Sequence, residues 1–107
     1  MPVIKIEYDD TKVKENAVVA VSNAIQKIVS ETTGIEDVFV YANSSRIKVK
    51  IAPIEIWVEM SANKIEDVEK LLSEFKEKLS TWKKKDGFQY PINLTLTPVP
   101  WKFEIGI

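Results

Sequence analysis

The sequence contains no cysteine and no histidine. The first absence excludes disulfides, thiol nucleophiles and thiolate metal sites. The second excludes imidazole ligands and every catalytic triad built on histidine. An all-carboxylate site for magnesium or calcium stays open to such a chain, but no EF-hand or comparable spacing is present, and the expectation is no metal and no cofactor. Charge of one sign is also missing: the net charge is -1, which gives no electrostatic case for nucleic acid. No apolar run approaches the ~20 residues of a membrane span, and no signal peptide is evident, so the expectation is a cytoplasmic protein with no membrane partner. Any enzyme built on this chain must work with Pro2, lysine, arginine, tyrosine or carboxylates.

What is present suits a globular protein. The length of 107 residues fits one domain spanning 1–107, and 45% of residues are hydrophobic against 29% charged. A domain of this size buries roughly two-thirds of its unfolded surface, enough for one core. Many Lys, Glu and Ile residues without Cys fit a thermophile-like composition.

Hydrophobic periodicity divides the chain into alternating strands and helices. Strand one is read at Val3–Tyr8, with Ile4, Ile6 and Tyr8 on one face. Asp9, Asp10 and Thr11 offer an N-cap to helix one, Lys12–Thr32, which carries an apolar stripe through Ala17, Val18, Val21, Ala24, Ile25 and Ile28 and ends at Gly34. Strand two, Asp37–Ala42, is apolar on both faces apart from the Tyr41 hydroxyl, which suggests a central strand. Arg46–Ile51 alternates strictly and reads as a basic hairpin strand; Ile54–Met60 is the next strand. Helix two is expected over Lys64–Lys84, capped by Asn63 with Glu66, with a stripe through Ile65, Val68, Leu72, Phe75, Leu79 and Trp82. Pro91–Pro98 is strand-like, and Trp101–Ile107 alternates again.

The fold expected is α+β: two βαβ repeats forming a four-stranded mixed sheet with both helices on one face. Two helices cover only one face, leaving Val3, Phe39 or Tyr41, Trp57 and the Thr95 row on the other. Exposed apolar surface of this kind marks an interface, so a homo-oligomer with facing sheets is expected.

The start Met1-Pro2-Val3-Ile4-Lys5-Ile6 has a small second residue, the kind of start from which methionine aminopeptidases generally remove the initiator. Pro2 would then present a secondary amine at the head of a strand. With this start, the Thr33–Val40 passage, Pro53–Glu59 and Asn93–Pro98, the chain resembles the tautomerase superfamily of 4-oxalocrotonate tautomerase and macrophage migration inhibitory factor. The resemblance implies a trimer in which Pro2 is the catalytic acid/base of an isomerase moving a proton in a small keto–enol carboxylic acid. It implies cationic side chains for the substrate carboxylate: Lys12, just before helix one, and Arg46, the chain's one arginine, with Lys48 on the same face. Tyr41 and Trp101 complete the candidate substrate-binding set.

The chain departs from the pattern at three places. Phe39 stands where 4-oxalocrotonate tautomerase has a catalytic arginine. Ile35 replaces the lysine of the migration inhibitory factor type. The glycine-rich stretch after strand two is replaced by Arg46–Ile51. The alternative reading is a non-catalytic oligomeric ferredoxin-like βαβ module that binds a small ligand or partner protein. A nucleic-acid-binding version of that module is weaker, because the sheet aromatics are interleaved with Glu55 and Glu59.

Overall fold

The computed structural model describes residues 1–107. Its strands and helices follow in the order β1 (Val3–Tyr8), α1 (Glu15–Thr33), β2 (Phe39–Asn43), β3 (Ile54–Ser61), α2 (Val68–Asp86) and β4 (Ile92–Val99), with a 3₁₀ turn at Ala62–Lys64. Sheet order is β2-β1-β3-β4. Each half is a strand–helix–strand unit with its own two strands parallel, β1 to β2 and β3 to β4. The halves join through the antiparallel β1–β3 pair, in which Val3 faces Glu59 and Tyr8 faces Ile54.

Strand alternation sorts the residues between two faces. Ile4 and Ile6 of β1 and Ile54, Ile56, Val58 and Met60 of β3 point to the helices and are buried. They pack against Val18, Val21, Ile25 and Val29 of α1 and Phe75 and Leu79 of α2 in one core cluster. Trp82, at the end of the α2 stripe, is only partly buried and stacks on Phe88 with ring centroids 5.1 Å apart. On the other face, register aligns Phe39, Val3, Glu59 and Thr97 in one row and Tyr41, Lys5, Trp57 and Thr95 in the next. No helix of this chain covers that face; Phe39 and Tyr41 are exposed.

Five features differ from the sequence expectation, the two helix starts for local reasons. The Asp9 carboxylate accepts from the Thr11 N–H at 3.0 Å and the Thr11 hydroxyl at 2.6 Å, folding a turn ahead of α1. The helix therefore starts at Glu15, with Lys14 as an N-cap that makes no side-chain bond. Asn63 accepts from the Ser61 hydroxyl at 2.7 Å, so Asp67, bonded to the Lys70 N–H at 3.1 Å, caps α2 instead. Strand β2 lies at an edge; its second apolar face is the open face of the sheet, not a buried one. Arg46–Ile51 forms no strand, and neither does Trp101–Ile107. Ile47 and Val49 are 78% and 99% exposed, because no strand edge receives their alternating pattern. Gly34 and Gly87 end the helices at φ 72° and 76°, the left-handed geometry that favours glycine.

Candidate functional site

The strand directions decide what meets Pro2. Strand β3 runs antiparallel to β1, so its C-terminal end lies beside the start of β1. Strand β4 runs parallel to β3, with Val99 opposite Ser61, so the chain after β4 leaves at the same end. Three segments far apart in sequence therefore converge there: Met1-Pro2, Ser61–Lys64 and Val99–Phe103. Met1 and the other two segments line a cavity of about 440 Å³ whose walls include Asn63, Lys64, Trp101, Lys102 and Phe103; Pro2 follows Met1 just behind its wall.

Pro2 itself is fully buried. Its carbonyl accepts from the Phe39 N–H at 3.2 Å, which extends the β1–β2 pairing by one bond and pins the residue. Proline suits this position because the head of a strand tolerates a missing N–H. With Met1 attached, the Pro2 nitrogen is an amide with no basicity. Trp101 and Phe103 make an edge-to-face pair with centroids 6.1 Å apart. The Trp101 indole N–H is buried without an acceptor.

The other expected cations lie elsewhere in this chain. Lys12, Arg46 and Lys48 gather at the opposite end of β1, a strand of six residues. At ~3.3 Å per residue that is on the order of 20 Å from Pro2. Lys48 pairs with Asp10 at 3.0 Å, and Arg46 and Lys12 are exposed. The Ser45 N–H donates to Glu7 at 2.6 Å, and the Ser45 hydroxyl donates to the same oxygen. Asp9 is held below its ordinary pKa by the Thr11 hydroxyl first, then by the Thr11 N–H, against the opposing effect of burial; Lys12 and Lys48 add to the lowering. Tyr41 sits in the open face beside Lys5, and of the expected binding residues only Trp101 shares the cavity with Met1.

Lys64 and Lys102 are the cavity residues that sequence reasoning missed. Lys64 reads as the first residue of a helix and Lys102 as a polar position in a strand. The signal that finds them is the antiparallel β1–β3 pairing. Two larger clefts, of about 570 and 630 Å³, lie between the ends of the helices and hold none of the expected residues. The larger sets Glu66, Asp67 and Glu74 against Lys64 and Lys70, so its charges largely cancel.

The sequence matches no protein-family model and no curated protein. Solved structures do match by shape. A fused 4-OT, described as an asymmetric trimer, superposes at a TM-score of 0.66 with 13% identity, over 97% of this chain and 92% of its own. Malonate semialdehyde decarboxylase superposes at 0.65 with 13% identity, over 98% and 92%. MIF2 of Leishmania major superposes at 0.64 with 14% identity, over 99% and 95%. The chain therefore has the tautomerase fold. At these identities the likeness is one of fold.

Proposed function

We propose that this protein is a tautomerase-like isomerase that moves a proton in a small keto–enol carboxylic acid, with Pro2 as the acid/base once Met1 is removed. The observation that carries the reading is the position of Pro2: buried, hydrogen-bonded into the sheet, and adjoining a cavity with aromatic walls and unpaired cations. A freed prolyl nitrogen is a secondary amine. An α-amino group ordinarily titrates near ~8, and apolar surroundings favour its neutral form. In that form it takes a proton from the enol or the adjacent carbon and returns it to the other atom, as a general base and then a general acid.

Trp101 contributes an aromatic wall to the same cavity. Lys12, Arg46, Lys48 and Tyr41 are proposed to act from a neighbouring copy. The uncovered sheet face with Phe39 and Tyr41 is the surface through which copies would pack, most simply as a trimer. The trimeric description of the fused 4-OT supports that assembly.

The test uses Met1-free protein confirmed by intact mass, with phenylenolpyruvate as the enol. Pro2→Ala leaves a primary amine, and turnover is expected to fall by ~10²-fold or more, the usual scale of lost acid–base catalysis. Parent protein that ketonises no faster than buffer, or Pro2→Ala as active as the parent, overturns the catalytic reading and leaves the non-catalytic binding module.

A further inference from the structure

The cavity beside Pro2 is charged in one direction only. Lys64 and Lys102 line it, and no carboxylate does; Lys64 also borders the larger cleft that holds Glu66, Asp67 and Glu74, but forms an ion pair with none of them. Neither lysine takes part in any of the chain's three ion pairs, Lys5–Glu59, Lys27–Glu31 and Lys48–Asp10. Trp101 adds an indole N–H that is buried with no acceptor; buried indole N–H groups usually find one. The Asn63 side-chain oxygen and the Ser61 hydroxyl that donates to it at 2.7 Å are neutral acceptors. The polar lining therefore holds two cationic donors and no anionic acceptor, and the rest of the wall includes aromatic and aliphatic residues: Trp101, Phe103, Val99 and Pro100.

We infer that Lys64 and Lys102 form an anion anchor within a single chain and hold the carboxylate of a flat, conjugated carboxylic acid against the Trp101–Phe103 wall. The inference deepens the reading of Pro2 as acid/base and rests on it for the position of the reacting carbon. The two lysines reach the cavity from different segments: Lys64 from the 3₁₀ turn that closes β3, and Lys102 from the chain leaving β4. They can flank an anion without help from another copy. A carboxylate there gains two charge-assisted bonds, and its conjugated body lies on aromatic surface. Where far-end cations of a neighbouring copy also reach the substrate, they meet a different part of it. The Met1 side chain lines the same space, so removing Met1 both frees the amine and opens the anchor.

Binding is measured by calorimetry on Met1-free full chain. The probes are cinnamate, a flat aromatic carboxylate that cannot ketonise, and cinnamamide, its uncharged counterpart. Both lysines are exposed, so the double variant Lys64→Met, Lys102→Met is expected to fold, with circular dichroism as the check. Loss of two charge-assisted bonds is expected to raise the cinnamate Kd by about tenfold or more and to leave cinnamamide within about twofold. Added salt should weaken cinnamate binding to the parent more than to the variant. A cinnamate Kd that moves by less than about threefold, or a parent that binds no cinnamate at about 10 mM, overturns the anchor. If lysine-dependent cinnamate binding persists while no protein ketonises phenylenolpyruvate, the anchor stands and the acid/base reading of Pro2 falls.

Discussion

The two ends of strand β1 handle positive charge in opposite ways. At the end where β1 stops, acids and cations alternate closely: Lys48 is paired with Asp10 at 3.0 Å, Lys12 and Lys48 lower the pKa of Asp9, and Glu7 takes the Ser45 donors. At the end where β1 begins, Lys64 and Lys102 face a cavity with no acid in its wall. A cation paired with a carboxylate in the free protein gives up that partner to bind a substrate anion, whereas an unpaired one gives up only water. The comparison separates two readings of lysine that composition alone cannot: one end builds a turn, and the other leaves its charge available.

The open sheet face offers the largest test of whether the two ends ever meet. Strand β2 carries Phe39 and Tyr41 on that face, 38% and 57% exposed. Phe39→Asp, which leaves the proposed substrate contact Tyr41 in place, puts charge where a copy is proposed to pack and leaves the helix-side core untouched. Light scattering is expected to show an oligomer for the parent and a monomer for the variant. If far-end cations serve a neighbour's Pro2, turnover falls by about tenfold or more, as when a charge-assisted substrate contact is lost. Cinnamate binding through Lys64 and Lys102 stays within about twofold of the parent, since that anchor lies in one chain. A parent that is already monomeric at micromolar concentration would remove the neighbour from the site.

How much of this was legible beforehand depended on whether the deciding interaction was local. The alternation of Ile4 and Ile6, and of Ile54 through Met60, dictated which face of each strand is buried. The stripe containing Phe75 and Leu79 did the same for α2. Helix starts were misplaced because several polar residues competed within a few positions. Asp9 engaged Thr11, and Asn63 engaged Ser61, leaving Asp67 to cap α2. Arg46–Ile51 has a strand's alternation but pairs with neither edge of the sheet, a tertiary fact that periodicity does not contain. The nearness of Lys64 and Lys102 to Pro2 was hidden for the same reason: it follows from strand direction and register. Pro2 was recognisable as a candidate because its chemistry is carried by the residue itself.

A smaller effect is expected from acid at the far end. The Asp9 carboxylate is stabilised in its charged form by the Thr11 donors, so its native pKa lies below the ordinary value of about 3.9. The unfolded chain therefore binds more protons in that window. The stabilisation is complete above the ordinary value and is lost as pH falls through the depressed one. Asp9→Asn removes the titration while keeping the side-chain shape. Urea midpoints should favour the parent at neutral pH, and the gap should close as the pH falls below about 4. A gap of constant size across that range would mean that Asp9 acts through shape alone.

The smallest expected effect concerns the pair that makes the far end differ from the near one. Lys48 has an 18% exposed side chain and Asp10 a 55% exposed one, so their 3.0 Å contact is only partly shielded from water. Exposed ion pairs typically couple by ~0.2–1 kcal/mol, and the lower accessibility of Lys48 places the expectation in the upper half of that range. A double-mutant cycle with Lys48→Met and Asp10→Asn isolates the coupling, provided that neither single change creates a new contact. The coupling should shrink as salt is raised, because solvent ions screen the exposed Asp10 side. Asp10→Asn also releases Lys48 from its ion-pair partner, which brings the far end one step nearer the near end's chemistry. If a free lysine were all that an anion site needs, this variant would gain cinnamate affinity. The expectation is that it does not, because the Asp9 carboxylate still lies close enough to Lys48 to interact with it. A new cinnamate site in Asp10→Asn, absent from Asp10→Asn with Lys48→Met, would show that releasing one lysine from its ion pair is enough to make an anion site and that the near end is not special.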